Sequence, residues 1–333
     1  MTRITDTNPV TVPTTADMAP ARTADNLQRS WPRAQVIAAG AKLQSPQWRV
    51  VIYLILLFFT TLAASFLGDW LTNAPMAALL IMISPALAAL LASLLTCRSL
   101  KAIGWRVTPF QWLGVGWVLP MLYAVPAYAL LWLTGLGGVP NPTFLERARF
   151  TLNMPDAGNA LLIGAAFFYI TVVNLLPALV LSMGEEIGWR GFLVPELARW
   201  RGVRTAAWLS SVIWAGWHLP AILRGEYGAA ATPLAYRLFC FAVMVIASGI
   251  VMAWLRLRSG SIMPVAIMHA THNGVIQTFL ERITVDTGNT AYFAGEFGMA
   301  LLPGLLLMAW FAWKQTGNLR GEDRCTTSLP SKT

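Results

Sequence analysis

Charged residues are scarce in this sequence. Asp, Glu, Lys and Arg make up 12% of its 333 residues and hydrophobic residues make up 56%, whereas soluble globular proteins carry about 25% charged residues. The mean hydropathy is +0.57, and several uncharged runs reach the ~20 residues that a helix needs to cross a bilayer. This composition excludes an ordinary soluble protein. It predicts an all-α fold, a polytopic bundle of helices embedded in the lipid bilayer.

Cysteine is also scarce. The chain holds Cys97, Cys240 and Cys325. Their number is odd and their spacing is wide, so the sequence predicts neither a disulfide framework nor a cysteine-based metal site. Prenylation of a C-terminal motif requires a cysteine as the fourth residue from the end. Cys325 lies too far from the end for this, and we expect no prenylation of the chain itself.

The uncharged runs predict eight membrane spans. Several of the 15 Trp residues lie near the ends of these runs, where interfacial belts of aromatic residues form. We expect residues 1–45 and 314–333, which are polar, to form cytoplasmic tails, the first of them disordered. Residues 46–313 form the membrane-embedded domain. The spans are predicted at about 50–67, 76–96, 111–134, 159–184, 204–223, 236–255, 261–280 and 297–313.

The basic residues predict the orientation of the chain. If both termini are cytoplasmic, 19 of the 24 Lys and Arg residues fall on the cytoplasmic side, as the positive-inside rule requires. The net charge of +9 then follows from the topology and from attraction to anionic lipid, and no nucleic-acid partner is needed. We expect an integral, multi-pass protein of the plasma membrane.

Ionisable side chains appear abruptly in the stretch LSMGEEIGWRGF, residues 181–192. An ionisable residue inside a span costs at least ~2.5 kcal/mol, and such residues are usually functional. Glu186 and Arg190 are four residues apart, so on a helix they share a face and can pair. Glu185 lies about 100° around the helix axis, which leaves it available as a general base. The alternative is a cytoplasmic loop just beyond the fourth span.

A histidine follows in the stretch SSVIWAGWH, which ends at His218. The turn between the fourth and fifth spans is centred near Arg201 and Gly202, with Glu185 sixteen residues before Arg201 and His218 sixteen after Gly202. In an antiparallel helical hairpin these two positions lie at the same depth. A carboxylate and an imidazole at one depth are suited to proton transfer. The alternative is a histidine that lines a packed bundle without a catalytic role.

A third polar group lies in MHATHNGVIQ, residues 268–277. His269 and Asn273 are four residues apart and project from one face. Both could donate hydrogen bonds to the oxyanion that forms when a water attacks a carbonyl. The alternative is interhelical hydrogen bonding, which we favour for His272. The residues Glu185, Glu186, Arg190, His218, His269 and Asn273 together suit amide hydrolysis in a partly dry cavity.

The three motifs E-E-x-x-x-R, aromatic-x-x-x-H and H-x-x-x-N occur in this order within residues 181–277. With these motifs in this order, the sequence resembles the CPBP family of intramembrane endopeptidases. That family includes the type II CAAX prenyl endopeptidases and bacterial relatives linked to bacteriocin processing. The resemblance implies a helical bundle with a cytoplasm-open cavity, which cuts near the C-terminus of membrane-associated proteins or peptides.

The resemblance also implies roles for the motif residues. Glu185 and His218 would activate the water, and His269 and Asn273 would form the oxyanion hole. Trp214 departs from the family, which often has Phe at this position. We expect this departure to affect substrate preference more than activity.

Zinc is an alternative cofactor, with Glu185, His218 and His269 as its ligands. The sequence has no H-E-x-x-H helix, which preforms a zinc site, and Asn273 is a poor zinc ligand. A catalytic zinc ion needs three firm ligands and an open position. We therefore favour a glutamate-based mechanism without a cofactor.

A proton-coupled transporter is the alternative from another functional class, because carboxylate and histidine chains serve as proton relays in membranes. Here the ionisable residues cluster at one depth instead of crossing the membrane. The sequence also shows no paired broken spans, which are typical of transporters. A non-catalytic scaffold is a third alternative, and the complete set of motifs argues against it.

Overall fold

The computed structural model describes residues 42–228 and 231–317. The predicted N-terminal tail up to residue 41, and the C-terminal tail from residue 318, lie outside the described residues. Within the described ranges the chain is helical and forms no strand, apart from an isolated backbone bridge between Gly138 and Val285. The prediction of an all-α membrane bundle is confirmed at this level.

The helices follow the predicted spans closely, with boundaries shifted by a few residues. They are α1 Pro46–Leu71, α2 Ala74–Leu95, α3 Phe110–Leu133, α4 Pro142–Leu152, α5 Asn159–Phe168, α6 Leu175–Glu186, α7 Val194–Arg201, α8 Val203–Leu223, α9 Leu234–Ser259, α10 Met263–His272, α11 Glu281–Ile283 and α12 Leu302–Thr316. π-helical turns occupy Tyr169–Val173, Ile187–Leu193 and Asn273–Leu280.

Five of the described helices, α1, α2, α3, α8 and α9, are long and apolar enough to cross a membrane. A sixth span results if Asn159–Val173 and Leu175–Arg201 are counted together, with a bend of 45° between them. Helix α12 has 15 residues and rises ~22 Å, less than the ~30 Å of a hydrocarbon core. The structure thus supports five or six spans. The count of eight, and the cytoplasmic location of both termini, stay predictions.

Two glycines bring α6 and the π-helical turn after it close to α2. A Cβ atom at Gly184 would lie 2.7 Å from the carbonyl oxygen of Met82, and one at Gly188 would lie 2.6 Å from Cβ of Pro85. Small residues four apart allow such close helix packing in membranes. The turn that carries Arg190 is therefore fixed against α2, at the kind of π-helical site that is often functional.

Basic side chains gather at one end of the helices. Arg98 donates to Glu196 at 2.6 Å, and Arg199 pairs with the same carboxylate. Arg256 donates from Nε to the backbone carbonyl of Arg190 at 3.0 Å. These contacts join the loop after α2 to helix α7, and the last turn of α9 to the π-helical turn that precedes α7. We call this the arginine-rich end, defined by Arg49, Arg98, Glu196, Arg199 and Arg256.

The opposite end is formed by the turns that follow α1, α3, α8 and α11. Gly138 and Val285 exchange two backbone hydrogen bonds of 2.9 and 2.7 Å, which join the turn after α3 to the turn after α11. Helix α1 starts at the arginine-rich end with Arg49, and Leu71 lies ~33 Å further along its axis. The turn between α1 and α2 therefore also belongs to this opposite end.

Candidate active site

A cavity of about 640 Å³ lies between the helices that carry the three motifs. Glu185 of α6, His218 of α8, and His269 and Asn273 of the α10 segment all line it. The structure therefore brings together four of the six predicted site residues around one space. The other two, Glu186 and Arg190, lie behind the cavity wall.

Glu186 and Arg190 form the predicted ion pair. Arg190 Nη1 lies 2.9 Å from Glu186 Oε1, and the two side chains are 2% and 0% exposed. His269 also contacts this carboxylate, with its Nδ1 2.8 Å from Glu186 Oε1. A carboxylate oxygen only accepts, so Nδ1 of His269 carries a proton and donates it. Glu186 and Arg190 thus fix the orientation of His269 without facing the cavity.

Glu185 is held by two indoles and not by Arg190. Its Oε2 accepts a hydrogen bond from Trp214 Nε1 at 2.8 Å and a longer one from Trp189 Nε1 at 3.3 Å. The side chain is buried. The helical spacing separates Glu185 from Arg190 and predicts no donor for its carboxylate. The structure supplies two neutral donors, which orient the carboxylate without a full positive charge beside it.

Trp214 connects Glu185 with His218. The indole donates to Glu185, and the backbone carbonyl of the same residue accepts a 2.8 Å hydrogen bond from Nδ1 of His218. No direct hydrogen bond joins Glu185 to His218, both of which belong to the described part of the chain. Glu185 and His218 therefore both line the cavity and are linked through Trp214, whereas their shared depth in the membrane stays a prediction.

The ring of Trp214 also contacts the ion pair and the third motif. The guanidinium carbon of Arg190 lies 4.1 Å from the ring centre, a cation–π distance. The ring packs edge-on against His269 with a centroid separation of 5.6 Å. Trp214 is 5% exposed. The residue that departs from the family pattern thus touches members of all three motifs.

A second buried polar network borders the cavity, and sequence reasoning missed it. His272 contacts the hydroxyl of Tyr123 through Nδ1 and the carboxylate of Glu296 through Nε2, the latter at 2.8 Å. Glu296 also accepts from the hydroxyl of Tyr227, to which Gln277 donates at 3.2 Å. Both ring nitrogens of His272 are therefore occupied, which agrees with the hydrogen-bonding role favoured for it.

Glu296 lies in the segment between α11 and α12, outside the spanning helices. Burial alone would raise the pKa of this carboxyl. The hydrogen bond and positive charge of His272, with further hydrogen bonds from Tyr227 and Gln277, outweigh burial and lower the pKa to about 2. Glu296 is therefore an anion in the folded protein. The only sequence signal for it is a carboxylate in an otherwise uncharged stretch, AYFAGEFGMA.

The three residues suggested as zinc ligands do not form a metal-binding group. Among the described residues, no three His, Cys, Asp or Glu side chains are arranged to hold a metal ion. The Nδ1 atoms of His218 and His269 are bound to a carbonyl and a carboxylate, which leaves a single nitrogen on each ring. One free nitrogen on each ring is what a metal-binding histidine needs, so the lack of a metal-binding group among the described residues rests on the positions of the side chains and not on these hydrogen bonds.

Comparison with known families adds independent support. Residues 164–275 match a family model described as type II CAAX prenyl endopeptidase Rce1-like. This stretch covers about a third of the chain and includes all six motif residues. A comparison with curated proteins finds no match. The match of residues 164–275 to this family model confirms the CPBP resemblance drawn from the motifs.

Proposed function

We propose that the chain is an intramembrane endopeptidase that hydrolyses peptide bonds in membrane-associated substrates. The observation that carries the proposal is the convergence of Glu185, His218, His269 and Asn273 on one cavity. The Rce1-like family implies proteolysis of the CAAX type. Processing of bacteriocin-like or leader-like peptides is the other substrate class that the family resemblance suggests.

We assign the activation of the water to Glu185 and His218. Nδ1 of His218 donates to the carbonyl of Trp214, so Nε2 of the neutral ring is an acceptor. A water between Nε2 and the Glu185 carboxylate gives a proton to Glu185 as its oxygen attacks the scissile carbonyl carbon. When the intermediate collapses, the C–N bond breaks and that proton passes to the leaving amine.

We assign the stabilisation of the oxyanion to His269 and Asn273. Nδ1 of His269 already donates to Glu186, so Nε2 must carry a second proton to act as a donor. The negative charge of Glu186 stabilises this doubly protonated ring. The side-chain amide of Asn273 supplies a second donor. The different partners of the two histidines thus favour an acceptor role for His218 and a donor role for His269.

We propose that this reaction does not use a metal ion. Support comes from the side-chain positions, because no three His, Cys, Asp or Glu side chains among the described residues are arranged to hold a metal ion. The test is cleavage after exhaustive chelation. Full activity is expected. Loss of activity that added zinc restores would replace the glutamate mechanism with a metal-dependent one.

The decisive variant is Glu185→Gln, measured in proteoliposomes without an ion gradient. We expect the fold to persist and turnover to fall ~10²-fold or more, the usual scale for a positioned acid–base group. Glu146→Gln, on the exposed side of α4, is the matched control and should cleave normally. Normal cleavage by Glu185→Gln would disprove the catalytic role. A transporter or scaffold would show no cleavage in the wild type.

A further inference from the structure

Among the residues that the structure describes, a single hydrogen bond orients the imidazole of His218. Its Nδ1 donates to the backbone carbonyl of Trp214, one turn earlier on α8, at 2.8 Å. The side chain is half-buried and lines the catalytic cavity. One bond at Nδ1 leaves the ring able to turn, so the position of Nε2, the atom that would accept from the water, depends on what packs against the ring.

Four of the described aromatic rings pack against this imidazole. Three belong to helices, Trp214 and Trp217 to α8 and Phe241 to α9, at centroid distances of 5.7, 4.9 and 5.2 Å and interplanar angles of 65°, 85° and 67°. The fourth is Tyr227 of the loop after α8, at 5.8 Å and 31°. The ring that lies most nearly parallel to His218 therefore comes from an irregular segment, and no helical backbone fixes it.

Tyr227 lies between two cavities. It lines the catalytic cavity of about 640 Å³ and a second cavity of about 410 Å³, and Gln277 and Glu296 are also part of this shared wall. Phe241 and Phe297 pack edge-on against the Tyr227 ring at 5.6 and 5.5 Å. Because space is open on two sides of the wall, packing alone does not hold the ring, and polar contacts must contribute to its position.

The hydroxyl of Tyr227 supplies these contacts and uses both of its hydrogen-bonding functions. It donates to Oε2 of Glu296 and accepts from the side-chain amide of Gln277 at 3.2 Å. The other carboxylate oxygen of Glu296 lies 2.8 Å from Nε2 of His272, which holds the carboxylate in place. A hydrogen bond to an ionised group is roughly twice as strong as one between neutral groups, so Glu296 is the stronger partner of the hydroxyl.

We infer that Tyr227 is a positioning residue for His218, and that Glu296 holds Tyr227 in place for this task. The contacts run from the carboxylate of Glu296 through the hydroxyl and ring of Tyr227 to the imidazole. Tyr227 takes no part in the proton transfer, because its hydroxyl proton is donated to Glu296. Its ring limits the rotation of the imidazole and keeps Nε2 directed at the water. The effect on catalysis rests on the proposed function, whereas the effect on the His218 ring does not.

The variant Tyr227→Phe keeps the ring and removes both hydrogen bonds. Measured per folded protein in proteoliposomes, kcat should fall about 10-fold, a part of the ~10²–10⁴-fold that a positioned acid–base group contributes. KM should stay nearly unchanged, because the ring still lines the cavity. Tyr236→Phe is the matched control, since the Tyr236 hydroxyl donates to the carbonyl of Tyr292 and lines neither cavity, and its kcat should equal that of the wild type.

Gln277→Leu removes only the neutral partner of the Tyr227 hydroxyl and should lower kcat less than Tyr227→Phe does. A larger loss for Gln277→Leu would overturn the assignment of Glu296 as the group that holds Tyr227. A wild-type kcat for Tyr227→Phe in an active enzyme would overturn the positioning role itself.

A spectroscopic measurement reports on His218 without cleavage. The chain has only three histidines, so in protein with isotope-labelled histidine the His218 signal can be identified by its loss in His218→Gln. At a pH at which the ring is neutral, the wild type should show one tautomer, with the proton on Nδ1, and Tyr227→Phe should show a mixture of both tautomers. A wild-type signal in Tyr227→Phe would refute the inference even if kcat falls. If the wild type cleaves nothing, the proposed function fails, and the tautomer signal still decides whether Tyr227 holds His218.

Discussion

The substitution Trp214→Phe tests the hydrogen bond of the indole separately from the volume of the aromatic ring. The substitution removes the 2.8 Å donor to Glu185 and retains the backbone carbonyl that accepts from His218. It also keeps an aromatic ring beside Arg190. Trp189 still donates to Glu185, but at 3.3 Å. The variant therefore leaves a carboxylate that is buried and less firmly oriented.

The size of the effect follows from the lost bond. A hydrogen bond to a charged group is worth about 1.5–3 kcal/mol, and each ~1.4 kcal/mol corresponds to a factor of ten in rate. We expect kcat/KM to fall about 10- to 100-fold, with most of the loss in kcat, because Glu185 acts on the water and does not bind the substrate. The hydrogen bond from the indole to Glu185 thus replaces the expectation from the motif alone that Trp214 affects substrate preference more than activity. The assay is cleavage of a defined membrane substrate in proteoliposomes, with Tm measured in parallel.

Two further variants make the result interpretable. Trp189→Phe removes the longer bond and should cost less than Trp214→Phe. Trp208→Phe, on the same helix α8 and 50% exposed, should leave both kcat and Tm unchanged. If Trp214→Phe turns over like the wild type at an unchanged Tm, the indole does not position Glu185. If Trp189→Phe is the more damaging change, the ranking derived from the two distances is wrong.

Three other predictions follow from the contacts around the site. Arg190→Ala leaves the buried charge of Glu186 without its partner and should lower the free energy of unfolding by ~3–5 kcal/mol in a chemical denaturation experiment. The double variant Glu186→Gln/Arg190→Met should recover much of this loss. A wild-type denaturation midpoint for Arg190→Ala would show that the pair is not buried in the membrane protein. Asn273→Ala should lose ~10²–10³-fold in kcat at a nearly unchanged KM, and an effect confined to KM would assign Asn273 to substrate binding. Because the pKa of Glu296 is lowered from 4.5 to about 2, its contribution to stability is complete above pH ~4.5 and is lost as the pH falls towards ~2. A profile of Tm against pH should show this loss for the wild type and not for Glu296→Gln. Identical profiles for the two proteins would contradict the buried anion.

The features that sequence reasoning predicted are those that depend on local spacing. The Glu186–Arg190 pair follows from four residues on one helical face, and the presence of Glu185 and His218 in one cavity follows from two helices joined by a short turn. The five or six spans that the structure supports follow from long uncharged runs. Helix α4 escaped prediction because its eleven residues are too few and too polar for a span. The 45° bend near Asn174 lies inside an uncharged run, where hydropathy carries no signal.

The features that sequence reasoning missed depend on contacts between distant segments. His272 and Glu296 are 24 residues apart and meet only because the segment after α11 folds back over the cavity. Trp214 is an aromatic residue in the motif, but its role as a donor depends on the position of Glu185, 29 residues earlier. Neither of these has a periodic pattern in the sequence.

The contact between Glu186 and His269 gives a reason for the buried ion pair. A buried pair rarely stabilises a protein more than apolar side chains of the same size would, so stability alone does not account for Glu186 and Arg190. The same oxygen of Glu186 accepts from Arg190 and from His269. The double variant Glu186→Gln/Arg190→Met can therefore restore packing, but it removes the negative charge that orients His269 and favours its second proton. We therefore expect the double variant to regain its stability and to remain nearly inactive. This result would show that the ion pair serves the oxyanion site and not the fold.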